Sequence, residues 1–177
     1  MDYVRCIGEY YPNIGCMCVG DPTVYENIIR TSGDPLPTVD ELDRKIVEII
    51  KADKISELSN SCQEEIISGF VSNALGYDCV YDSTELDQLN LVGSFASTIK
   101  TELNPNGTPT YYAVRKIVDG VVKSKSYEVH NHVMLQKVIM DGVAFKLGLL
   151  QKFNMKRDYI NHTALTAAEI DAITWQS

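Results

Sequence analysis

The sequence predicts an α+β protein made of a small N-terminal α/β cap, a long amphipathic helix, a β-hairpin and C-terminal helices. The long helix is indicated by apolar residues at spacings of three and four between Leu42 and Ile66, which is typical of one helical face. The hairpin is indicated by Asp119-Gly120, a strong turn signal, between two runs of β-forming residues over about 110–129. A capping box at 166–169 predicts a short helix near the C-terminus.

Residues 1–37 are expected to form the cap and to act as a docking module separate from a helical domain over 38–177. The segment 33–37 combines glycine, aspartate and two prolines, a composition typical of a linker. Within the cap we predict a helix over 4–11, a strand over 14–19 and a partner strand over 25–30. Segments shorter than about 40 residues rarely bury enough surface alone, so the cap needs a neighbour.

The long helix is predicted over about 38–67. Thr38 caps it and Glu41 completes a capping box, because each side chain satisfies a backbone N–H at the helix start. Residues 51–54 offer a place where the helix could bend. The apolar stripe has two interpretations: it packs on the rest of the domain, or it meets copies of itself in an oligomer.

Two short extended pieces, at 70–74 and 79–81, are predicted after the long helix. A helix capped by Asp82 or Ser83 follows and is closed by a loop over 104–109. After the hairpin, a helix is predicted over about 130–154, and Asp141-Gly142 offers a place for it to bend. The final short helix is expected to reach about Trp175.

Charge and hydropathy exclude several classes of partner. The net charge of −8 disfavours nucleic acid, whose binding depends on lysine and arginine neutralising phosphates. It equally disfavours anionic membranes. No stretch approaches the ~20 consecutive apolar residues of a membrane-spanning helix. The N-terminus lacks the basic and apolar segments of a signal peptide, so we expect the chain to be made in the cytoplasm without membrane insertion.

Cysteine and histidine are the residues most able to carry chemistry here. Five cysteines include the pair Cys16 and Cys18, which an alternating strand would place on one face as small buried hydrophobes. His130 and His132 form an HxH pair that could in principle bind a transition metal, but no ligand-spaced cysteine or carboxylate lies near them. We therefore predict no catalytic, metal-binding or cofactor-binding residues.

Sequence signatures of common enzymes do not occur. The patterns GxSxG, GxxxxGK[ST], GxGxxG and HExxH are all missing, and the carboxylates cluster at helix starts, where capping explains them. The sequence therefore favours an interaction protein that is not an enzyme. A hydrolase using His130, His132 or Cys16 is the enzymatic alternative.

A set of short motifs follows the start of the long helix. Its members are Lys54-Ile55-Ser56-Glu57-Leu58, Gly69-Phe70-Val71-Ser72-Asn73-Ala74-Leu75-Gly76, Tyr81-Asp82-Ser83 and Asp87-Gln88-Leu89-Asn90-Leu91. They match the pattern of a helix, GF-x-S-x-ALG, Y-x-S and DQ-x-NL. Through this pattern a large part of the chain, about 34–175, resembles a domain family widespread in tailed bacteriophages and encoded beside tail-fibre and baseplate genes. The C-terminal part fits through His132, Asp141-Gly142, Ala167-Ala168-Glu169-Ile170 and Ile173-Thr174-Trp175. The segment 33–42 is similar to a P-T-x-x-E-L helix start in small baseplate-region proteins.

The resemblance implies a structural protein of the virion tail, in the baseplate or fibre-attachment region, assembled in the host cytoplasm. Its partners would be fibre or baseplate subunits, and a homo-oligomer is expected. The alternative is a chaperone of tail-fibre assembly that leaves before the virion is complete. The resemblance carries over no catalytic residues. The segment Asp87 to Leu91 is expected to be structural, with one of Leu89 and Leu91 packing on a neighbouring element and polar side chains bonding the preceding turn.

Overall fold

A computed structural model describes residues 2–101, 105, 107–163 and 166–176. The predicted α+β class is confirmed. Helices are α1 (Tyr3–Tyr10), α2 (Val39–Ile67), α3 (Glu85–Ser97), α4 (His132–His162) and α5 (Ala167–Asp171). Strands are β1 (Ile14–Cys18), β2 (Ile28–Gly33), β3 (Phe70–Ser72), β4 (Cys79–Tyr81), β5 (Thr110–Val118) and β6 (Val121–His130). Of the predicted loop over 104–109, Asn104 and Asn106 lie outside the described residues.

Two compact units make up the described chain. The first combines the chain up to Leu58 with the chain from Lys156 onward, and the second is Ser59–Met155. In the first unit, β1 and β2 pair antiparallel, and a single 3-10 turn at Tyr25–Asn27 precedes β2. Their core joins α1, the two strands and α2. Its buried residues are Tyr3, Cys6, Ile7, Ile28, Leu42, Ile46 and Ile49.

The division predicted after residue 37 does not coincide with a boundary between the two units. Side chains from α1 and β2 need α2 to cover them, so Cys6 and Ile7 share one core with Leu42 and Ile46. The segment 33–37 is a short connection within this unit, because Leu36 packs against the same core. Whether residues 1–37 attach the chain to another protein stays a prediction.

The second unit is built on a four-stranded antiparallel sheet in the order β3-β4-β5-β6. The turn between β5 and β6 has positive φ at both Asp119 and Gly120, as a two-residue hairpin requires. Residues of α3 and α4 cover one face of the sheet. The core there consists of Phe70, Cys79, Tyr81, Leu91, Tyr112, Val114, Leu135 and Val138.

The apolar stripe of α2 is buried within the chain. Leu42, Ile46, Ile49, Leu58, Cys62 and Ile66 are all at most 6% exposed. The structure therefore favours the first interpretation of this stripe, in which it packs on its own domain. The helix runs without a break through residues 51–54. Among the described residues, no helix carries an apolar stretch long enough to span a bilayer.

Helix α4 also runs without a break, through the Asp141-Gly142 pair where the sequence allowed a bend. Glycine at 142 serves packing here: a Cβ at this position would lie 2.8 Å from Cζ of Phe70. At the C-terminus, Thr166 and Glu169 form the predicted capping box. The helix that they open ends at Asp171, short of the predicted Trp175.

The N-terminus of α3 is capped by Thr84 and not by Asp82 or Ser83. The Thr84 hydroxyl accepts a hydrogen bond from the Asp87 N–H, and the Asp87 carboxylate accepts one from the Thr84 N–H at 3.1 Å. Together they form a capping box, the arrangement that satisfies two backbone donors reciprocally. Sequence reasoning placed the cap one or two residues early because aspartate and serine are equally good caps.

Replacing Thr84 by alanine is expected to lower the free energy of unfolding by about 1 kcal/mol, because one acceptor for the helix start is lost. Thr84→Ser is the control, since its hydroxyl can accept the same bond. Urea unfolding followed by circular dichroism measures the difference. Equal midpoints for the two variants would contradict this role of Thr84.

Candidate interaction surfaces

His130 is fully buried at the end of β6, where both ring nitrogens are hydrogen-bonded. Nδ1 donates to the backbone carbonyl of Glu128 at 2.9 Å, because a carbonyl can only accept. Nε2 is then the acceptor for the Tyr81 hydroxyl at 2.8 Å. Burial lowers the pKa of His130, which keeps the ring neutral. With both nitrogens occupied, the ring serves as a core hydrogen-bonding group.

His132 has a different set of contacts from His130. It begins α4, its ring stacks on Phe95 with centroids 4.5 Å apart, and Nδ1 lies 3.1 Å from the Thr98 hydroxyl. His162 lies exposed in the last turn of α4. Over the described parts of the chain, His, Cys, Asp and Glu side chains form no group of three or more that could hold a metal.

The cysteines of β1 face the core of the first unit. Ile14, Cys16 and Cys18 pack against that core while Met17 between them is exposed. Both cysteines are half-buried and not fully enclosed, and a register shift between Gly15 and Cys16 interrupts the predicted alternation. Burial raises the pKa of the Cys16 thiol, and a protonated thiol is a poor nucleophile.

The motif residues that carry the phage resemblance have structural roles in the second unit. Ser72 is buried and donates to the Asp141 carboxylate at 2.5 Å. Gly69 has a φ of +107° and lies against the Tyr81 carbonyl, where a Cβ would come within 2.7 Å of the oxygen. Phe70 and Tyr81 stack with ring centroids 5.8 Å apart. This part of the pattern therefore specifies how β3, β4 and α4 meet.

The Asp87-Gln88-Leu89-Asn90-Leu91 segment behaves as the sequence analysis expected. Gln88 donates to the Ser83 carbonyl at 2.9 Å, and the carbonyl of Asp87 accepts from the Tyr112 hydroxyl at 2.9 Å. Leu91 is buried in the core, whereas Leu89 is exposed. These bonds hold the first turn of α3 against β5.

An apolar outer face is present on the sheet of the second unit. Residues opposite one another in antiparallel strands share a face, so Tyr111 and Val129 lie together, as do Ala113 and Tyr127. Tyr111 and Tyr127 are 70% and 71% exposed. We define the outer face as Val71, Val80, Tyr111, Ala113, Arg115, Lys125, Tyr127 and Val129.

Strand β6 reverses the usual burial pattern of a sheet that packs on one side. Its apolar residues Tyr127 and Val129 point outward, whereas Glu128 is half-buried and His130 is fully buried. Antiparallel strands normally bury the apolar set and expose the polar set. The core of the second unit gives no reason for β6 to leave its apolar side chains in water and bury its polar ones.

Two cations, Arg115 and Lys125, lie on the outer face itself. The Asp82 carboxylate binds the Arg115 guanidinium at 2.7 Å and also the Lys125 ammonium. These two cations lower the pKa of the Asp82 carboxyl, Lys125 contributing most. Beside this cluster a groove of about 820 Å³ is lined by Tyr111 and Tyr127 together with residues of α3.

The free edge of β6 adjoins the outer face. β6 is last in the strand order, and its second edge pairs with no strand in the part of the chain that the structure describes. An unpaired edge is a template for an added strand. Sequence reasoning predicted the hairpin but missed the outer face. The signal for it was the adjacent pair Tyr111-Tyr112, which puts an aromatic ring on each side of one strand.

Comparison with known proteins gives no assignment: no protein-family model, curated protein or solved structure matches this chain.

Proposed function

We propose that this chain is a structural component of a bacteriophage tail, in the baseplate or fibre-attachment region, and acts by binding other tail proteins. The class of protein rests on the sequence resemblance over about 34–175. The mode of action rests on the second unit, whose outer face and free β6 edge offer a contact surface. The catalytic alternative has less support, since His130 is hydrogen-bonded at both nitrogens and Cys16 packs against a core.

The observation that carries the proposal is the inverted burial of β6. Two tyrosines exposed by about 70% on one sheet face cost free energy in water, and aromatic residues are enriched at protein interfaces. A fibre or baseplate subunit that covers this face would remove them from solvent. Arg115 and Lys125 on the same face, with Asp82 bound to both, would supply polar contacts to that subunit.

Peptide mass spectrometry on purified phage particles tests the assignment. We expect this chain in the particles at a fixed multiple of three or six against the major tail protein. Abundance in the infected lysate with absence from particles would instead indicate an assembly chaperone. Absence from both particles and tail intermediates would reject a role in the tail.

In the same experiment, the double variant Tyr111→Ser, Tyr127→Ser is expected to fold but to be lost from particles, because both side chains are exposed and lie on the outer face. Met155→Ser is the matched control, since Met155 is equally exposed and lies on α4. Normal incorporation of the double variant would show that the outer face is not the contact surface.

A further inference from the structure

A cleft of about 210 Å³ lies within the second unit, between α3 and α4. One face of each helix lines it, and residues from the end of α2 and from β3 complete its walls. It shares no residue with the outer face of the sheet. Its apolar walls include Phe70, Leu91 and Phe145, and its polar lining residues are Ser83, Gln88 and Lys146.

The size and the walls of the cleft suit an aromatic ring. A cavity of about 150 Å³ lined by leucine, isoleucine and phenylalanine side chains can hold benzene. The present cleft is larger, so a ring with a short substituent fits. The centroids of Phe70 and Phe145 lie 6.3 Å apart, and a third ring beside them can stack or meet them edge-on, as aromatic pairs prefer.

Ser83 gives the cleft a buried polar group without a partner. The residue is 7% exposed, and no described group forms a hydrogen bond with its hydroxyl. Its backbone carbonyl accepts from Nε2 of Gln88 at 2.9 Å, which holds Ser83 beside α3. The cap of α3 does not use the hydroxyl, since Thr84 is the N-cap. A buried hydroxyl without a partner costs free energy, so an acceptor brought by a ligand would be stabilised here.

Lys146 lies at the same end of the cleft as Ser83. The His132 ring stacks on Phe95, so the end of α3 lies beside the start of α4 and the two helices run antiparallel. Ser83 lies twelve residues before Phe95, and Lys146 lies fourteen residues after His132, which brings them opposite one another. Lys146 is exposed and forms no ion pair with a described residue. An anionic acceptor for Ser83 would therefore also meet the ammonium group.

We propose that the cleft between α3 and α4 is a binding site for a small aromatic carboxylate. The ring lies against Phe70, Leu91 and Phe145. The carboxylate accepts a hydrogen bond from the Ser83 hydroxyl and pairs with the Lys146 ammonium. Phenylacetate, in which one methylene group joins the ring to the carboxylate, has this size and charge.

Titration of the full chain with phenylacetate, followed by two-dimensional nitrogen–proton NMR, tests the proposal. The amide signals of Leu91 and Gly142 should shift to saturation, whereas that of Tyr127 on the outer face should not. So small a ligand should bind with a dissociation constant on the order of 1 mM. Phenethylamine, with an ammonium in place of the carboxylate, should cause no saturable shift, because its charge is repelled by Lys146.

Variants separate the two polar contacts. Ser83→Ala should raise the dissociation constant of phenylacetate about tenfold, because a hydrogen bond to a charged group is lost. The same substitution should not lower the stability of the free chain, since the hydroxyl has no partner to lose. Lys146→Gln should also weaken binding. Lys123→Gln is its control, because Lys123 is exposed on β6 outside the cleft, and it should bind as the parent does.

Absence of saturable shifts at the cleft would overturn the proposal. So would phenethylamine binding as well as phenylacetate, or unchanged affinity in Ser83→Ala or Lys146→Gln. A loss of stability in free Ser83→Ala would show that the hydroxyl already has a structural role, and would equally reject the site. The proposal does not depend on the tail assignment, because mass spectrometry of particles tests that assignment without reference to this cleft.

Discussion

Gly142→Ala is expected to lower the free energy of unfolding by about 1–3 kcal/mol, the usual cost of forcing extra volume into a packed core. Alanine is the better helix former by about 1 kcal/mol, so propensity alone predicts the opposite sign. Packing should prevail, because the added Cβ would lie 2.8 Å from Cζ and 3.0 Å from Cε1 of Phe70. That ring is buried between Tyr81 and Phe145 and has little room to move.

Gly148→Ala is the matched control. It lies in the same helix, and a Cβ there would meet nothing within 4 Å. Propensity should act alone, raising the free energy of unfolding by about 0.5–1 kcal/mol. Urea unfolding of both variants and of the parent shows whether each substitution raises or lowers the free energy of unfolding. A stabilised Gly142→Ala variant would show that Phe70 can yield and that the close approach is not a constraint.

Stability is expected to fall as the pH is lowered from about 7.5 to about 5.5, because His130 is held neutral in the folded chain. Burial lowers the pKa of His130 below its value in the unfolded chain, which is about 6.5. Below that pH the unfolded state binds the extra proton, so lowering the pH favours unfolding. The slope for one proton is at most about 1.4 kcal/mol per pH unit.

Burial is the reason that the folded chain resists protonation of His130, whereas the contacts with Glu128 raise its pKa and act in the opposite direction. Nδ1 already donates a hydrogen bond to the Glu128 carbonyl, and Nε2 accepts one from the Tyr81 hydroxyl. A proton on Nε2 would end that acceptance inside the core. Carboxylates such as Asp82, whose pKa is lowered by its cation partners, lose their contribution only at more acidic pH.

In His130→Gln the free energy of unfolding should change less between about pH 7.5 and 5.5 than it does in the parent. The variant should also be less stable than the parent by about 1–3 kcal/mol, because the Tyr81 hydroxyl loses its hydrogen-bond partner. His162→Gln is the control and should keep the parent profile, since His162 is exposed at the end of α4. Chemical unfolding at several pH values measures both. A parent slope that persists in His130→Gln would assign the pH dependence to other groups.

Features set by local hydrogen bonds were predictable from the sequence. The capping boxes at Thr38 and Thr166 and the Asp119-Gly120 turn each depend on residues within a few positions of one another. The long apolar periodicity of α2 was equally clear. The cap of α3 was missed because three adjacent residues can all cap, and only packing decides which one does.

Features set by distant contacts were not predictable in the same way. Nothing near Gly142 in the sequence reveals that Phe70 lies against it. The proline-rich connection before residue 37 does not mark a boundary between the compact units, because Ile7 and Leu42, on either side of it, share a core. The outer face was missed because alternation in β6 indicates that Tyr127 is inside and His130 outside, the reverse of what the structure shows.

The edge of β6 that pairs with no strand among the described residues also bears on how the chain avoids aggregation. Exposed strand edges with apolar side chains are starting points for amyloid-like aggregation, since further strands can add to them. β6 places Lys123 and Lys125 near its middle, and lysine on an edge strand is a common protection because like charges repel an incoming copy. We therefore expect Lys123, and Lys125 beside its Asp82 partner, to disfavour the addition of a second copy to this edge.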